Sequence, residues 1–159
     1  MLDLVFQNFT SDKYFKGEFF KKVLFAGVEE LDLKDKRIEI SLSLVGESKI
    51  REMNREYLNK DKATDVLSFP MFEKLEISSP LSTGEAGKFV IHDLGDIFIC
   101  LPFAKNDAKS ENVSIEKKLV QLTVHGFLHL AGYDHENSDL QAREMEGLEK
   151  SILNRLRLR

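Results

Sequence analysis

Three of the chain's four histidines fall in the run His125-Gly-Phe-Leu-His129-Leu-Ala-Gly-Tyr-Asp-His135, which constrains the fold more than any other segment. A spacing of four returns the second imidazole to nearly the same helix face, about 6 Å further along the axis. Gly132 is the residue type at which a helix most readily stops, and the turn Tyr133-Asp134 then carries His135 back towards the first two. An isolated His-x-x-x-His pair is more often an ordinary pair on an amphipathic helix than a ligand pair. The third histidine, just past the helix stop, reverses that judgement. Three neutral nitrogens around a tetrahedral zinc leave one position open, as in catalytic rather than structural sites. We therefore read His125, His129 and His135 as ligands of one Zn2+ ion.

Gly126 adds to this reading. A glycine inside a helix costs about 1 kcal/mol relative to alanine, so its presence calls for a close approach of backbone, metal or substrate. It also excludes something. The zinc-peptidase pattern has a glutamate directly after the first histidine as general base, and here that position is Gly126. Asp134, Glu136 and Asp139 beside the cluster, with Asp65 and Asp96 on expected strands, are candidates for orienting ligands or moving protons. For Glu136 and Asp139, next to a helix start, capping is the simpler role. His92, in a polar stretch, reads as a surface residue.

The rest of the chain reads as alternating strands and helices. Leu2 to Phe9 is a first or edge strand, and Thr10 or Ser11 caps a helix to about Leu31 with Phe15, Phe19, Val23 and Phe25 among its apolar positions. Ile38, Ile40, Leu42 and Leu44 alternate with Arg37, Glu39, Ser41 and Ser43, the pattern of a strand in a sheet covered by helices on one side. Ser48 caps a second helix with the stripe Ile50, Met53, Tyr57 and Leu58. Thr64 to Phe69 and Gly95 to Cys100 are further strands, separated by a long loop over residues 73–92 with room for a hairpin. A short helix follows Leu101. Ser114 and Glu116 begin the histidine helix, and Ser138 with Gln141 makes a capping box for a last helix through Met145, Leu148, Ile152 and Leu156. This order predicts a single α+β domain over residues 1–159, a small sheet with about five helices packed on it.

With 159 residues, 42% apolar and 31% charged, the chain has the composition of an ordinary globular protein. Its apolar runs are too short to span a membrane. The single cysteine, Cys100, cannot form an internal disulfide, and the charges Asp3, Asp12, Lys13 and Lys16 interrupt any signal-peptide core. A cytoplasmic protein is the expectation. The net charge of −4 does not mark a nucleic-acid binder, so any such contact needs a local basic patch. Arg51, Arg55, Lys60 and Lys62 form one, and Arg155, Arg157 and Arg159 another; taken alone, a solvated helix face and a terminus are the simpler readings.

The residues do carry a resemblance. His-Gly-x-Leu-His-Leu-x-Gly-Tyr-Asp-His is similar to the signature of the YbeY family, the bacterial endoribonucleases and rRNA maturation factors. Met53-Asn54-Arg55-Glu56-Tyr57, Lys60 to Phe69, Leu94-Gly95-Asp96-Ile97 and Met145-Glu146-Gly147-Leu148-Glu149 follow in the family's order. The resemblance implies a metalloprotease-like α+β fold with a small mixed sheet. It implies a zinc-dependent, single-strand-specific endoribonuclease in late-stage ribosome quality control and maturation of the 3′ end of small-subunit rRNA. Its partners would be single-stranded RNA, small-subunit rRNA and the ribosomal subunit. His125, His129 and His135 carry over as metal ligands and centre of catalysis. Leu58 departs from the pattern, since an arginine usually follows the tyrosine or tryptophan of the second helix, and Asn59 stands where glycine is common. Arg55, Lys60 and Lys62 are then the candidates for the RNA phosphates. The expected chemistry is hydrolysis by metal-activated water, with attack by the RNA 2′-hydroxyl as the other route. The rival reading is an assembly factor that binds the ribosome through a mainly structural zinc site. A peptide hydrolase is the third, and Gly126 argues against it.

Overall fold

The alternating segment becomes β2 (Arg37–Val45). Ile38, Ile40, Leu42 and Leu44 are completely buried on one face, and β2 pairs in parallel on both sides, with β1 (Leu2–Asn8) and β4 (Ile91–Cys100). β3 (Val66–Pro70) closes the other edge, antiparallel to β4, giving the order β1-β2-β4-β3. The computed structural model describes residues 1–71 and 91–157, and these hold five helices around the mixed four-stranded sheet. The α+β expectation stands. No helix among the described residues is long and apolar enough to cross a membrane. The loop expected over residues 73–92 lies outside the described residues, except that Ile91 and His92 already belong to β4.

Three expectations change. The first helix does not start at Thr10 or Ser11: α1 spans Gly17–Glu30. Asn8 Oδ1 accepts the Thr10 N–H at 2.9 Å and Asn8 Nδ2 donates to the Asp12 carbonyl at 2.8 Å. These side-chain bonds fold residues 8–12 into a turn that competes with helix. Phe25 accordingly lies off the buried stripe, which runs through Phe20, Val23, Leu24 and Val28. The sheet is also covered on both faces. The larger core joins α1, α4 (Ile115–Leu130) and α5 (Asp139–Arg155) to Ile38, Ile40, Ile97 and Ile99. A smaller one joins α2 (Glu47–Leu58) and α3 (Leu101–Ser110) to Val45, Leu67 and Cys100 on the opposite face. Ser48 lies inside α2 rather than capping it, since Gly46 is the residue before Glu47.

Helix α4 positions the histidines. Ser114 Oγ accepts the Lys117 N–H at 3.1 Å, so the predicted cap forms. A Cβ on Gly126 would lie 3.0 Å from Ile97 Cγ2 and 3.1 Å from Ser68 Oγ, and one on Gly27 would lie 2.5 Å from Phe127 Cε1. Gly126 is thus explained by close packing on β3 and β4, and Gly27 by close packing of α1 on α4. His125 and His129 ride on a helix clamped from two sides.

Candidate metal centre

At the C-terminus of α4, Gly132 takes φ +95°, a left-handed conformation favoured by glycine. Its N–H donates to the His129 carbonyl at 3.0 Å and the Tyr133 N–H to the Leu128 carbonyl at 3.0 Å, the paired bonds of a Schellman stop. The chain then reverses through Asp134. Its Oδ1 accepts the Glu136 N–H at 2.9 Å and its Oδ2 accepts from Asn137 Nδ2 at 2.7 Å. This bracing swings His135 back, so that its ring centroid is 5.2 Å from those of both His125 and His129. Asp134 therefore shapes the loop that presents His135.

One nitrogen of each histidine lies within 4.8 Å of the other two, so the three could hold a metal ion. His125 Nε2 and His129 Nε2 are 3.1 Å apart. Two ligand nitrogens on a tetrahedral zinc with bonds of about 2.0–2.1 Å sit about 3.4 Å apart, so this spacing suits the ion. Unprotonated nitrogens facing each other so closely need a proton or a cation between them. His129 is held below the ordinary imidazole value, first by burial and then by the neighbouring His125 and His135. That favours the neutral, ligating form. His125 Nδ1 bonds Glu149 Oε1 on α5 at 2.7 Å. A carboxylate there fixes the tautomer with Nε2 free to ligate. The donor set fits a zinc-type ion.

Glu149 is the main site residue that the histidine spacing does not reveal. A signal was present: Glu149 follows Met145 by four and precedes Ile152 by three, which places a carboxylate on the buried stripe of α5. The other carboxylates divide. Asp65 borders the histidines, just before β3 rather than in it, with Oδ1 accepting the Val66 N–H at 2.8 Å. Asp96 precedes Ile97 on β4, and Ile97 meets α4, so strand alternation directs Asp96 to the other face. Asp139 opens α5, beside its cap Ser138, and Glu136 borders the cleft. His92 is half-buried in β4, not on a surface loop. Burial raises the Cys100 thiol, which keeps it protonated and inert.

The histidines open into a cleft of about 560 Å3. His125, His129, His135, Tyr133, Asp134 and Glu136 form one wall, and Leu58, Lys60 and Lys62 the other. Asn54, 2% exposed, holds that second wall together by donating from Nδ2 to the Lys62 carbonyl at 2.9 Å. Asn59 ends α2 at φ +56°, which accounts for a residue that tolerates the left-handed region there. Of the three predicted phosphate contacts, Lys60 and Lys62 line the cleft. Arg55 does not; it is exposed on α2 near Asp61, which Arg51 already pairs at 2.8 Å. The terminal patch is not a free patch either, since Arg155 is bonded to Glu30, while Arg159 lies outside the described residues.

Comparison with known proteins decides the family. The model for Endoribonuclease YbeY matches residues 7–157. This chain belongs to the YbeY family. YbeY relatives named as endoribonucleases include those of Persephonella marina, 36% identical over 92% of this chain and 87% of the relative, and Finegoldia magna, 38% identical over 94% and 88%. The Staphylococcus carnosus YbeY is 45% identical over 73% of this chain and 71% of its own length. The solution structure of TM1509 from Thermotoga maritima shares the fold, with a TM-score of 0.59 over 98% of this chain and 92% of that one at 23% identity.

Proposed function

We propose that this protein is a zinc-dependent endoribonuclease that cuts single-stranded RNA in the cleft between the histidines and the end of α2, and that its in-cell target is small-subunit rRNA in the cytoplasm. The observation that carries the proposal is the convergence of three imidazoles on one point in a cleft whose facing wall carries Lys60 and Lys62. Membership of a family whose relatives bear the endoribonuclease name supplies the substrate class.

His125, His129 and His135 would hold the ion, leaving a tetrahedral site one open position. When bound, such an ion lowers the pKa of a coordinated water to about 7 and withdraws charge from a phosphoryl oxygen. Glu149 keeps the His125 ring oriented and its Nδ1 occupied. Lys60 and Lys62 draw the RNA backbone against the far wall, while Asn54 fixes the loop that carries them. The histidine wall is otherwise acidic, with Asp134, Glu136 and Asp65 bordering it. A phosphate is repelled there without a cation, so the ion draws the scissile phosphate to this wall while Lys60 and Lys62 hold the strand with or without it. Asp65, which lines the cleft with His125, is a candidate for taking a proton from the attacking oxygen.

A second reading has an observation of its own. Leu58, at the position where the family pattern has an arginine, is 47% exposed and lines the cleft, so it offers no charge to a phosphate. That favours a ribosome-binding factor whose zinc is mainly structural. The test is cleavage of a single-stranded RNA by purified protein, by His129→Ala protein and by chelator-treated protein. Cleavage by the first alone supports the endoribonuclease. RNA binding without cleavage in any sample selects the second reading, and equal cleavage in all three points to a contaminating nuclease.

A further inference from the structure

Helix α2 outruns the sheet it packs on. Ile50 and Met53 of its apolar stripe are 0% and 7% exposed, but the stripe's last members, Tyr57 and Leu58, are 62% and 47% exposed. Tyr57 is nevertheless held in place. Its ring meets that of Phe69 edge-on, at a centroid distance of 5.4 Å and an angle of 65°, and Phe69 meets Phe98 in turn at 5.9 Å. One side of the tyrosine is braced by a column of rings rooted in the smaller core, and most of its surface faces solvent.

The surroundings of this ring say what would cover it. Its chain neighbour Leu58 lines the cleft, whereas Phe69 points to the opposite face of β3 from the cleft-lining Ser68 and Pro70. Tyr57 thus stands beside the cleft, next to Leu58 at the end of α2, rather than in its lining. Lys60 and Lys62 line the same wall, and Arg55 is exposed two residues earlier on the helix. A flat, pre-positioned aromatic surface beside cations, on a chain of net charge −4, suits a ligand with a π-face and a negatively charged backbone. An unstacked nucleobase has that π-face and its phosphates the charge.

We infer that Tyr57 is the stacking platform for an unpaired base of the RNA strand whose phosphates lie along Lys60 and Lys62. The inference rests on the endoribonuclease reading and deepens it, because it places strand selectivity in a residue. A base in a duplex has both faces covered by its neighbours and cannot lie on Tyr57. Leu58 continues the apolar surface from the platform into the cleft, which gives the missing arginine a positive counterpart.

The chain has no tryptophan, so Tyr57→Trp introduces a single indole at the proposed contact. The assay uses His129→Ala protein, which keeps the RNA intact, titrated with a single-stranded oligoribonucleotide and with a strand of the same length made of base-free sugar-phosphate units. Tyr57→Trp should bind the oligoribonucleotide about as tightly as the Tyr57 parent, with its fluorescence quenched on binding. Tyr57→Phe should keep the parent affinity. Tyr57→Ala should bind about tenfold more weakly, since stacking contributes about 1–3 kcal/mol per base and tenfold corresponds to about 1.4. The base-free strand should bind the parent and Tyr57→Ala proteins alike. An unquenched indole with undiminished affinity in Tyr57→Ala overturns the inference while leaving the endoribonuclease reading intact, and so does an equal loss on the base-free strand. A wild-type protein that neither binds nor cleaves the oligoribonucleotide overturns both. Melting curves of the three Tyr57 variants separate a folding defect from a binding one.

Discussion

The histidine wall of the cleft stands on α4, whose Leu119, Val120, Val124, Phe127 and Leu128 are all buried and whose Gly126 lies hard against β3 and β4. The facing wall is the last turn of α2 and the link through Lys60 and Lys62, where Tyr57 and Leu58 are exposed and Asn54 supplies the main tie. The first wall is rigid and acidic, the second thinly supported and basic. The difference suits a division of work. On the proposed function, the metal ligands, which must be held to within a fraction of an ångström, fall on the tightly packed α4. The contacts to a flexible strand, which tolerate looser geometry, fall on a helix end and a loop.

The two walls respond to different substitutions. The largest effect is expected at Glu149. Glu149→Ala frees the His125 ring, and metal affinity measured by competition with a chromogenic chelator should fall by about 10–100-fold, with RNA affinity of the metal-free protein unchanged. A loss of RNA affinity in that sample would mean that the walls are not independent. On the other side, Lys60→Ala with Lys62→Ala should leave bound metal unchanged. It should weaken oligoribonucleotide binding and reduce the slope of log affinity against log salt by about 1.4, since each single-strand phosphate contact contributes about 0.7. An unchanged slope removes both lysines from the interface.

Smaller effects test the scaffold. A Cβ at Gly126 overpacks the gap to Ile97 and Ser68, at a cost of about 1–3 kcal/mol, and recovers about 1 kcal/mol of helix propensity. Gly126→Ala should therefore lose up to about 2 kcal/mol, read as a fall in Tm of several degrees, and weaken metal more than RNA. The smallest effect lies far from the cleft. Ser151 and Arg155 hold Glu30 below the ordinary carboxylate value. Its contribution is then full above about pH 4.5, the ordinary value, and is lost as pH falls through the lower folded value. Glu30→Gln should lower Tm by a few degrees at most at neutral pH, and the gap to wild type should close in acid. A gap that widens in acid contradicts the assignment.

The same division governs what the amino-acid pattern discloses. His125, His129, Gly132 and the Ser114 and Ser138 caps are legible because they are local: helical spacing, a left-handed stop and a cap each involve residues within one turn or two. The four alternating residues of β2 are legible for the same reason. Glu149 meets His125 across 24 positions, and the Tyr57–Phe69–Phe98 column joins a helix to two strands, so the period of α5 can put Glu149 on a buried stripe, but no local pattern names the partner of either. Thr10 and Ser11 look like caps, but Asn8 engages Thr10 and Asp12 in a turn of its own, so α1 starts only at Gly17. Arg55, Lys60 and Lys62 look equivalent as cations in sequence; only the fold divides them, two into the cleft and one beside Asp61.

On the proposed function, one ion held by three histidines makes this cleft a nuclease. The most direct test is to strip the protein of metal, add Zn2+ back in measured steps, and follow bound metal and single-stranded RNA cleavage in the same sample. Cleavage should rise in proportion to bound zinc and level off at one ion per chain, with His129→Ala protein flat throughout. Cleavage that persists in the stripped protein, or that returns equally in His129→Ala protein, would contradict it.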